Sequence, residues 1–167
     1  MTTTPIAALQ EHPAFRALSQ DGQAKVNQSA KLLRFRIGQT IADSSTMPAN
    51  VVMLLNGQAR LLGREKGQLV TLAKMGPGSV VGLVSLLRGV PCEDASASTE
   101  STGLAIPDQC IADLYRDEES FRVWCNQNLW PAELATLIKA IQKRAAHSDG
   151  SLTRWLKPLS EQAKLLK

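Results

Sequence analysis

Residues 75–97 read Met75-Gly-Pro-Gly-Ser-Val-Val-Gly-Leu-Val-Ser-Leu-Leu-Arg-Gly-Val-Pro-Cys-Glu-Asp-Ala-Ser-Ala97, and this cassette decides the fold. Its early glycines predict tight turns, because glycine adopts positive φ angles without steric cost. Residues 80–87 then have room for one or two helical turns, which the following Gly-Val-Pro must end. Backbone amides that are left unpaired at such a turn point toward an anion, so the cassette predicts an anion cradle.

Short strands surround the cassette at regular spacing. They are predicted at residues 32–37, 51–55, 58–62, 69–75, 95–99 and 102–106. Asn56-Gly57 is a strong hairpin signal, and the last two of these strands are expected to form a further hairpin. About eight short strands, counting those of the cassette, indicate an antiparallel β-roll of the jelly-roll kind. With helical patterns before and after it, the fold class is α+β.

The helical patterns flank the roll on both sides. Short helices are predicted at residues 5–9 and 13–18, and Ser19 is expected to cap a helix that continues to Lys31. The predicted organisation is N-terminal helices packing on the roll, the roll, C-terminal helices, and a linker with an amphipathic basic tail. These parts span residues 1–31, 32–106, 107–147 and 148–167.

The turn sequences at residues 56–61, 66–72 and 76–82 resemble the cyclic-nucleotide-binding domain family of catabolite-activator-like regulators and cyclic-nucleotide-gated channels. The resemblance covers roughly residues 18–137. It implies that the ligand site lies in the cassette, at Gly82, Leu83, Ser85, Leu86, Glu93, Asp94 and Ala95.

Two cassette positions depart from the family pattern. Where the family has a glutamate that accepts the ribose hydroxyl, this chain has Leu83; where it has the arginine that pairs with the cyclic phosphate, this chain has Glu93. Lost hydrogen bonds and new repulsion together cost about 5–8 kcal/mol. The resemblance therefore implies a degenerate member that does not bind cyclic nucleotides, unless Arg88 folds back to take the phosphate.

Other arrangements of reactive residues do not indicate catalysis. Consecutive Glu93 and Asp94 are expected to point apart and to be solvated rather than to act as an acid/base pair. His12 and His147 lie at opposite ends of the chain, so no metal site is predicted. No serine lies in a nucleophile-elbow motif. We therefore expect no enzyme activity and no cofactor.

Composition indicates a cytoplasmic protein. The 167 residues are 44% hydrophobic and 20% charged, which is ordinary for a soluble domain. The N-terminus does not resemble a signal peptide, and no apolar run is long enough to span a membrane. Three cysteines without metal-ligand spacing are expected to be reduced thiols.

The net charge of +4 comes from the C-terminal end, since residues 139–167 hold seven of the 19 Lys and Arg and two of the 15 Asp and Glu. We therefore expect no direct nucleic-acid binding by the roll. The tail has an apolar side with Trp155, Leu156 and Leu159, beside Lys157 and Lys164. A partner protein, a neighbouring domain or the anionic inner face of a membrane would bury this side, unless it folds back on the roll.

Three functional classes remain open. The first is a regulatory or interaction domain of a larger protein. Within it, residues 61–65 and 91–93 resemble the N-terminal domain of bacterial peptidase-type ABC exporters, which implies the rest of the exporter, or its cargo peptide, as partner. The second class is the sensor part of a catabolite-activator-type transcription regulator, although too few residues follow Gly150 for a helix-turn-helix. The third is a sensor of an unusual, less anionic or cationic ligand.

Overall fold

The computed structural model describes residues 5–129; the predictions for residues 1–4 and 130–167, including the basic tail, lie outside the described residues. The chain divides into two units, Met1–Trp124 and Cys125–Lys167. Of the second unit only residues 125–129 are described, and they are helical. The elements named below belong to the first unit.

Four helices and eight strands have described bounds. The helices are α1 (Pro5–Glu11), α2 (Gln20–Ser29), α3 (Leu83–Arg88) and α4 (Asp108–Asp117). The strands are β1 (Lys31–Phe35), β2 (Thr40–Ala42), β3 (Asn50–Asn56), β4 (Ala59–Glu65), β5 (Gln68–Met75), β6 (Val80–Val81), β7 (Asp94–Ala97) and β8 (Ser101–Pro107). Residues 119–124 are also helical.

The strands form two antiparallel four-stranded sheets. Sheet A has the order β1-β8-β3-β6, and sheet B has the order β2-β7-β4-β5. This confirms the predicted α+β class and the antiparallel β-roll. Two predicted hairpins are wrong, however: β3 and β4 lie in different sheets, and so do β7 and β8. The short connections between them lead the chain from one sheet to the other, as a roll requires. Among the eight described strands, β4 and β5 are the one pair of consecutive strands that are hydrogen-bonded to each other.

Most of the side chains that line the interior of the roll are small, and Phe35 is the large one among them. One cluster consists of Phe35, Val52, Ala97 and Ala105, and a second consists of Ala42, Val81 and Ala95. Alanine at so many interior positions lets the two sheets approach closely. Helices cover the other side of sheet A, where α2 and α4 pack against β8 and α4 also packs against β3. Val51–Leu54 of β3 is accordingly buried on both faces.

Strand β1 differs from its prediction. The alternation of residues 32–37 predicted a half-buried strand, but Leu33 is 39% exposed and Ile37 is 66% exposed, and only Phe35 of the strand is buried. The physical reason is position: β1 lies at the edge of sheet A and pairs only with β8 among the described residues. The alternation of apolar residues predicts which side chains share a face of the strand. It does not predict whether another part of the protein covers that face.

The N-terminal segment follows its prediction in part. Ser19 caps α2, and its hydroxyl accepts a hydrogen bond from the Gly22 amide at 3.1 Å. Residues 13–17, predicted as a helix, form turns instead. The His12 carbonyl accepts from the amides of both Phe15 and Arg16, which closes one turn without continuing it.

Candidate functional site

The cassette begins with a turn that is fixed to the middle of sheet A. The Gly78 amide donates to the Leu54 carbonyl at 2.8 Å, and the Leu54 amide donates to the Ser79 carbonyl at 2.9 Å. Gly78 has a φ of +84°, as its predicted turn role requires. These bonds place the start of the cassette beside β3.

Gly82 then reverses the chain into α3. Its φ of +91° is a conformation that residues with a side chain rarely adopt. A Cβ at this position would also lie 3.3 Å from the Asn50 carbonyl oxygen, which is a second reason for glycine here. The helix ends at Gly89, whose left-handed conformation lets its amide donate to the Leu86 carbonyl at 3.1 Å. The predicted turn-helix-turn order is therefore present.

The Glu93 carboxylate occupies the predicted anion cradle. One oxygen accepts from the Gly82 amide at 3.1 Å, and the other accepts from the Ser85 amide and the Ser85 hydroxyl, both at 2.9 Å. Glu93 is only 8% exposed and Ser85 only 2%. The expectation that Glu93 is solvated is therefore wrong, because three donors of its own chain replace water around the carboxylate.

Ser85 ties the two ends of the cassette together. Its hydroxyl donates a hydrogen bond to Glu93 and accepts one from the Cys92 amide at 3.1 Å. The loop after α3 is thus closed onto the first turn of α3 by both residues. The hydrogen-bond donors at this turn therefore already donate to a carboxylate of the chain itself, that of Glu93.

The other predicted site residues point elsewhere. Leu83 is 1% exposed and belongs to the buried core. Ala95 lies in the roll interior, and Leu86 is half-buried on α3. Asp94 accepts from the Ser44 amide at 2.7 Å and the Ser44 hydroxyl at 2.8 Å, which fixes β7 to the loop after β2. The structure therefore brings together Gly82, Ser85 and Glu93, and separates the rest from them.

His12 contacts the cassette, although the sequence does not predict this contact. The His12 Nε2 lies 2.9 Å from the Gly78 carbonyl oxygen, and Nδ1 accepts from the Ala14 amide at 3.1 Å. Because Nδ1 accepts, the proton must be on Nε2, which donates to Gly78. The ring also contacts Phe15 and Trp124. No local motif signals this contact, since the two partners are 66 positions apart.

Burial lowers the pKa of His12 from 6.5, and the hydrogen bond to Gly78 opposes that effect. The unfolded chain therefore binds a proton at this position more readily than the folded chain. The free energy of unfolding is expected to fall as the pH drops below about 6.5, while the contribution of His12 is intact above that value. Urea denaturation at a series of pH values should show a shallower decline for His12→Gln. Both proteins keep His147, so parallel curves would rule out this role for His12.

The described residues contain neither a metal-binding cluster nor a helix suited to span a membrane. Within residues 5–129, no group of three or more His, Cys, Asp or Glu has a geometry suited to a metal ion. The same residues contain no helix with the length and apolar character of a membrane span. Cys92, Cys110 and Cys125 are all free thiols.

A short helix flanked by Gly82 and Gly89 thus lies between the strands of an antiparallel β-roll. Residues 32–118, more than half of the chain, match the family described as Cyclic nucleotide-binding domain. The chain belongs to this family. A search of curated protein sequences finds no match.

Solved structures share the fold at low sequence identity. A putative cyclic nucleotide-binding protein from Geobacter metallireducens has a TM-score of 0.61 and 19% identity, over 77% of this chain and 95% of that chain. The Thermus thermophilus catabolite activator protein has a TM-score of 0.60 and 21% identity, over 77% of this chain and 63% of that one.

A third structure is the regulatory subunit of a cAMP-independent protein kinase A from Trypanosoma cruzi, bound to guanosine. Its TM-score is 0.59 at 17% identity, over 72% of this chain and 47% of that chain. The chain thus spans about half the length of the kinase regulatory subunits that it matches. Both the kinase subunit and the catabolite activator are regulatory proteins by name.

Proposed function

We propose that this chain is a non-catalytic regulatory or protein-interaction domain that keeps the cyclic-nucleotide-binding fold and does not bind cyclic nucleotides. One observation carries the proposal: the buried Glu93 carboxylate accepts hydrogen bonds from the Gly82 amide and from the amide and hydroxyl of Ser85. Those are the donors of the anion cradle, and an anion of the chain itself already holds them.

The energies support the loss of binding. A cyclic phosphate about 5 Å from the Glu93 carboxylate would be repelled by about 3 kcal/mol at an effective dielectric constant near 20. To displace the carboxylate would also break its charge-assisted hydrogen bonds, each worth about 1.5–3 kcal/mol. Leu83 is buried and has no group to accept a ribose hydroxyl. Together these terms lower the affinity by several decades.

Isothermal titration calorimetry of the wild-type chain with cyclic AMP and with cyclic GMP tests the proposal. We expect no binding with a dissociation constant below about 100 μM, because the energies above move typical affinities beyond that range. Saturable binding tighter than this, by either nucleotide, contradicts the proposal.

A charge reversal at the cradle provides the complementary measurement. Glu93→Arg removes the anion and supplies a cation, so cyclic AMP should bind this variant more tightly than the wild type. Glu100→Arg is the matched control, since it makes the same change at an exposed position and should bind no better than the wild type. Circular dichroism checks that each variant is folded.

We further propose that the domain is the cytoplasmic N-terminal part of a bacterial peptidase-type ABC exporter, close to the inner membrane. Support comes from the resemblance of residues 61–65 and 91–93 to that class. The partners would be other domains of the exporter, or its cargo peptide. The reading frame beyond Lys167 tests this context: membrane spans and an ATPase would support it, a winged helix would favour the transcription regulator, and a stop codon would contradict it.

A second candidate is a sensor of a less anionic ligand. The observation that favours it is the Trypanosoma cruzi relative, which is named cAMP-independent and is bound to guanosine. A nucleoside has no phosphate for Glu93 to repel. Titration of the wild-type chain with guanosine decides between the candidates: binding tighter than about 100 μM supports the sensor, and its absence supports the interaction domain.

A further inference from the structure

Strand β1 presents a free edge and a run of exposed side chains. It pairs with β8 on one side and, among the described residues, has no strand on the other. Its first four residues are all exposed, including the apolar Leu32 (50%) and Leu33 (39%). An edge strand leaves a row of backbone amides and carbonyls unpaired, which is a template for a further strand. Edges of this kind bind extended peptides by strand addition.

A groove lies on the face of sheet A that carries Leu33 and Phe35 of β1. It has a volume of about 240 Å³ and is lined by residues of β1, β2 and β3 and of the segment that joins β2 to β3. Phe35 and Val52 are buried in its floor, whereas Leu33 and Met47 (38% exposed) lie on its rim. Leu33 and Phe35 share one face of β1 because side chains two positions apart lie on the same face. A strand added to β1 would therefore direct alternate side chains toward the groove.

The charge of sheet A points to the kind of strand that fits. None of its four strands contains Asp or Glu, and its charged residues are Lys31 and Arg34, both on β1. Arg36 follows directly. These three side chains are exposed, and none makes an ion pair within the described part of the chain. An acidic side chain across from Arg34 would gain a cross-strand pair.

The same charges disfavour a second copy of this chain. Two β1 strands that pair in antiparallel fashion about the Leu32–Leu33 peptide bond would place Lys31 of each copy directly opposite Arg34 of the other. Like charges at neighbouring cross-strand positions are destabilising. Basic side chains on an edge strand are a common protection against self-pairing.

We propose that the free edge of β1 binds an extended segment of a partner protein in which apolar and acidic side chains alternate. The apolar side chains lie over the groove beside Leu33, and the acidic ones face Arg34 on the opposite face. This inference rests on the proposed function as an interaction domain and names its surface and partner chemistry.

A synthetic peptide of alternating valine and glutamate, about eight residues long, is the probe. Fluorescence anisotropy with the full chain should show saturable binding. Arg34→Glu should weaken it at least about tenfold, since it replaces attraction by repulsion. Arg60→Glu, an equivalent reversal at an exposed position of β4 in sheet B, should change it less than about twofold.

A version of the peptide N-methylated at alternate residues separates strand addition from simple ion pairing. Methylation of the alternate residues whose amides face β1 removes main-chain donors and keeps every side chain, so binding should be lost. Methylation of the intervening residues, whose amides face away from β1, should leave binding intact. The proposal is overturned if the unmodified peptide does not bind, if both methylation patterns leave binding intact, if the two arginine variants weaken it equally, or if sedimentation shows that the chain self-associates through β1. Failure of the peptide leaves the absence of cyclic-nucleotide binding unaffected, because calorimetry measures that separately.

Discussion

Gly57→Ala is expected to lower the free energy of unfolding by about 2–5 kcal/mol. Gly57 has a φ of +84°, which costs an alanine about 1–2 kcal/mol. An added Cβ would also lie 2.5 Å from the Glu100 carbonyl oxygen and 2.7 Å from the Ser101 Cα. Those are backbone atoms at the end of the turn between β7 and β8 and at the start of β8, and they cannot rotate away as a side chain does. The neighbouring Gln58 carbonyl accepts from the Ser98 amide at 2.8 Å, so the two turns are locked together.

Gly67→Ala is the matched control for this prediction. Gly67 has a similar φ of +82°, but nothing lies within 4 Å of the added Cβ. The control should therefore lose only about 1 kcal/mol, from the backbone conformation alone. Urea denaturation of the three proteins gives the comparison. Equal losses in the two variants would show that the contact with the β7–β8 turn contributes nothing.

The same glycine shows how far the sequence predicts the fold. Asn56-Gly57 correctly indicated a turn with a positive φ, and the strands on both sides of it were located. What the local pattern does not contain is the sheet to which each strand belongs. A turn of the same kind joins paired strands in a hairpin and unpaired strands at a corner of a roll. The difference depends on strands far away in the sequence, such as β8 beside β3 and β7 beside β4.

The order of turn, helix and turn in the cassette was predicted correctly, but the contacts inside it were not. The cassette glycines predict an anion cradle, and the resemblance to the family marks Leu83 and Glu93 as departures from its pattern. The sequence did not indicate that Glu93 fills the cradle, because it meets Gly82 and Ser85 only when the loop after α3 folds back. A signal did exist: an acidic residue lies near the end of the loop that closes over the predicted anion site. Its position next to Asp94 instead favours a solvated carboxylate, because charged side chains are usually exposed.

Replacement of Glu93 is the second change with a large expected effect. Glu93→Ala removes the acceptor of three hydrogen bonds and leaves the amides of Gly82 and Ser85 and the Ser85 hydroxyl without a partner. Because Ser85 is almost completely buried, water does not readily replace the carboxylate. An unsatisfied buried donor costs about 1–3 kcal/mol, and such costs are only partly additive. We expect the free energy of unfolding to fall by about 3 kcal/mol.

Glu100→Ala, at an exposed position, is the control and should change stability by less than about 0.5 kcal/mol. Stability alone does not locate the effect, so amide hydrogen exchange supplies the second measurement. In Glu93→Ala the Ser85 amide should exchange faster than in the wild type, because its acceptor is gone, while the amides of β3 should change only as much as the global stability does. If the Ser85 amide stays as protected, relative to β3, as in the wild type, then Glu93 does not hold the cassette closed, and the anion cradle is stabilised by its backbone alone.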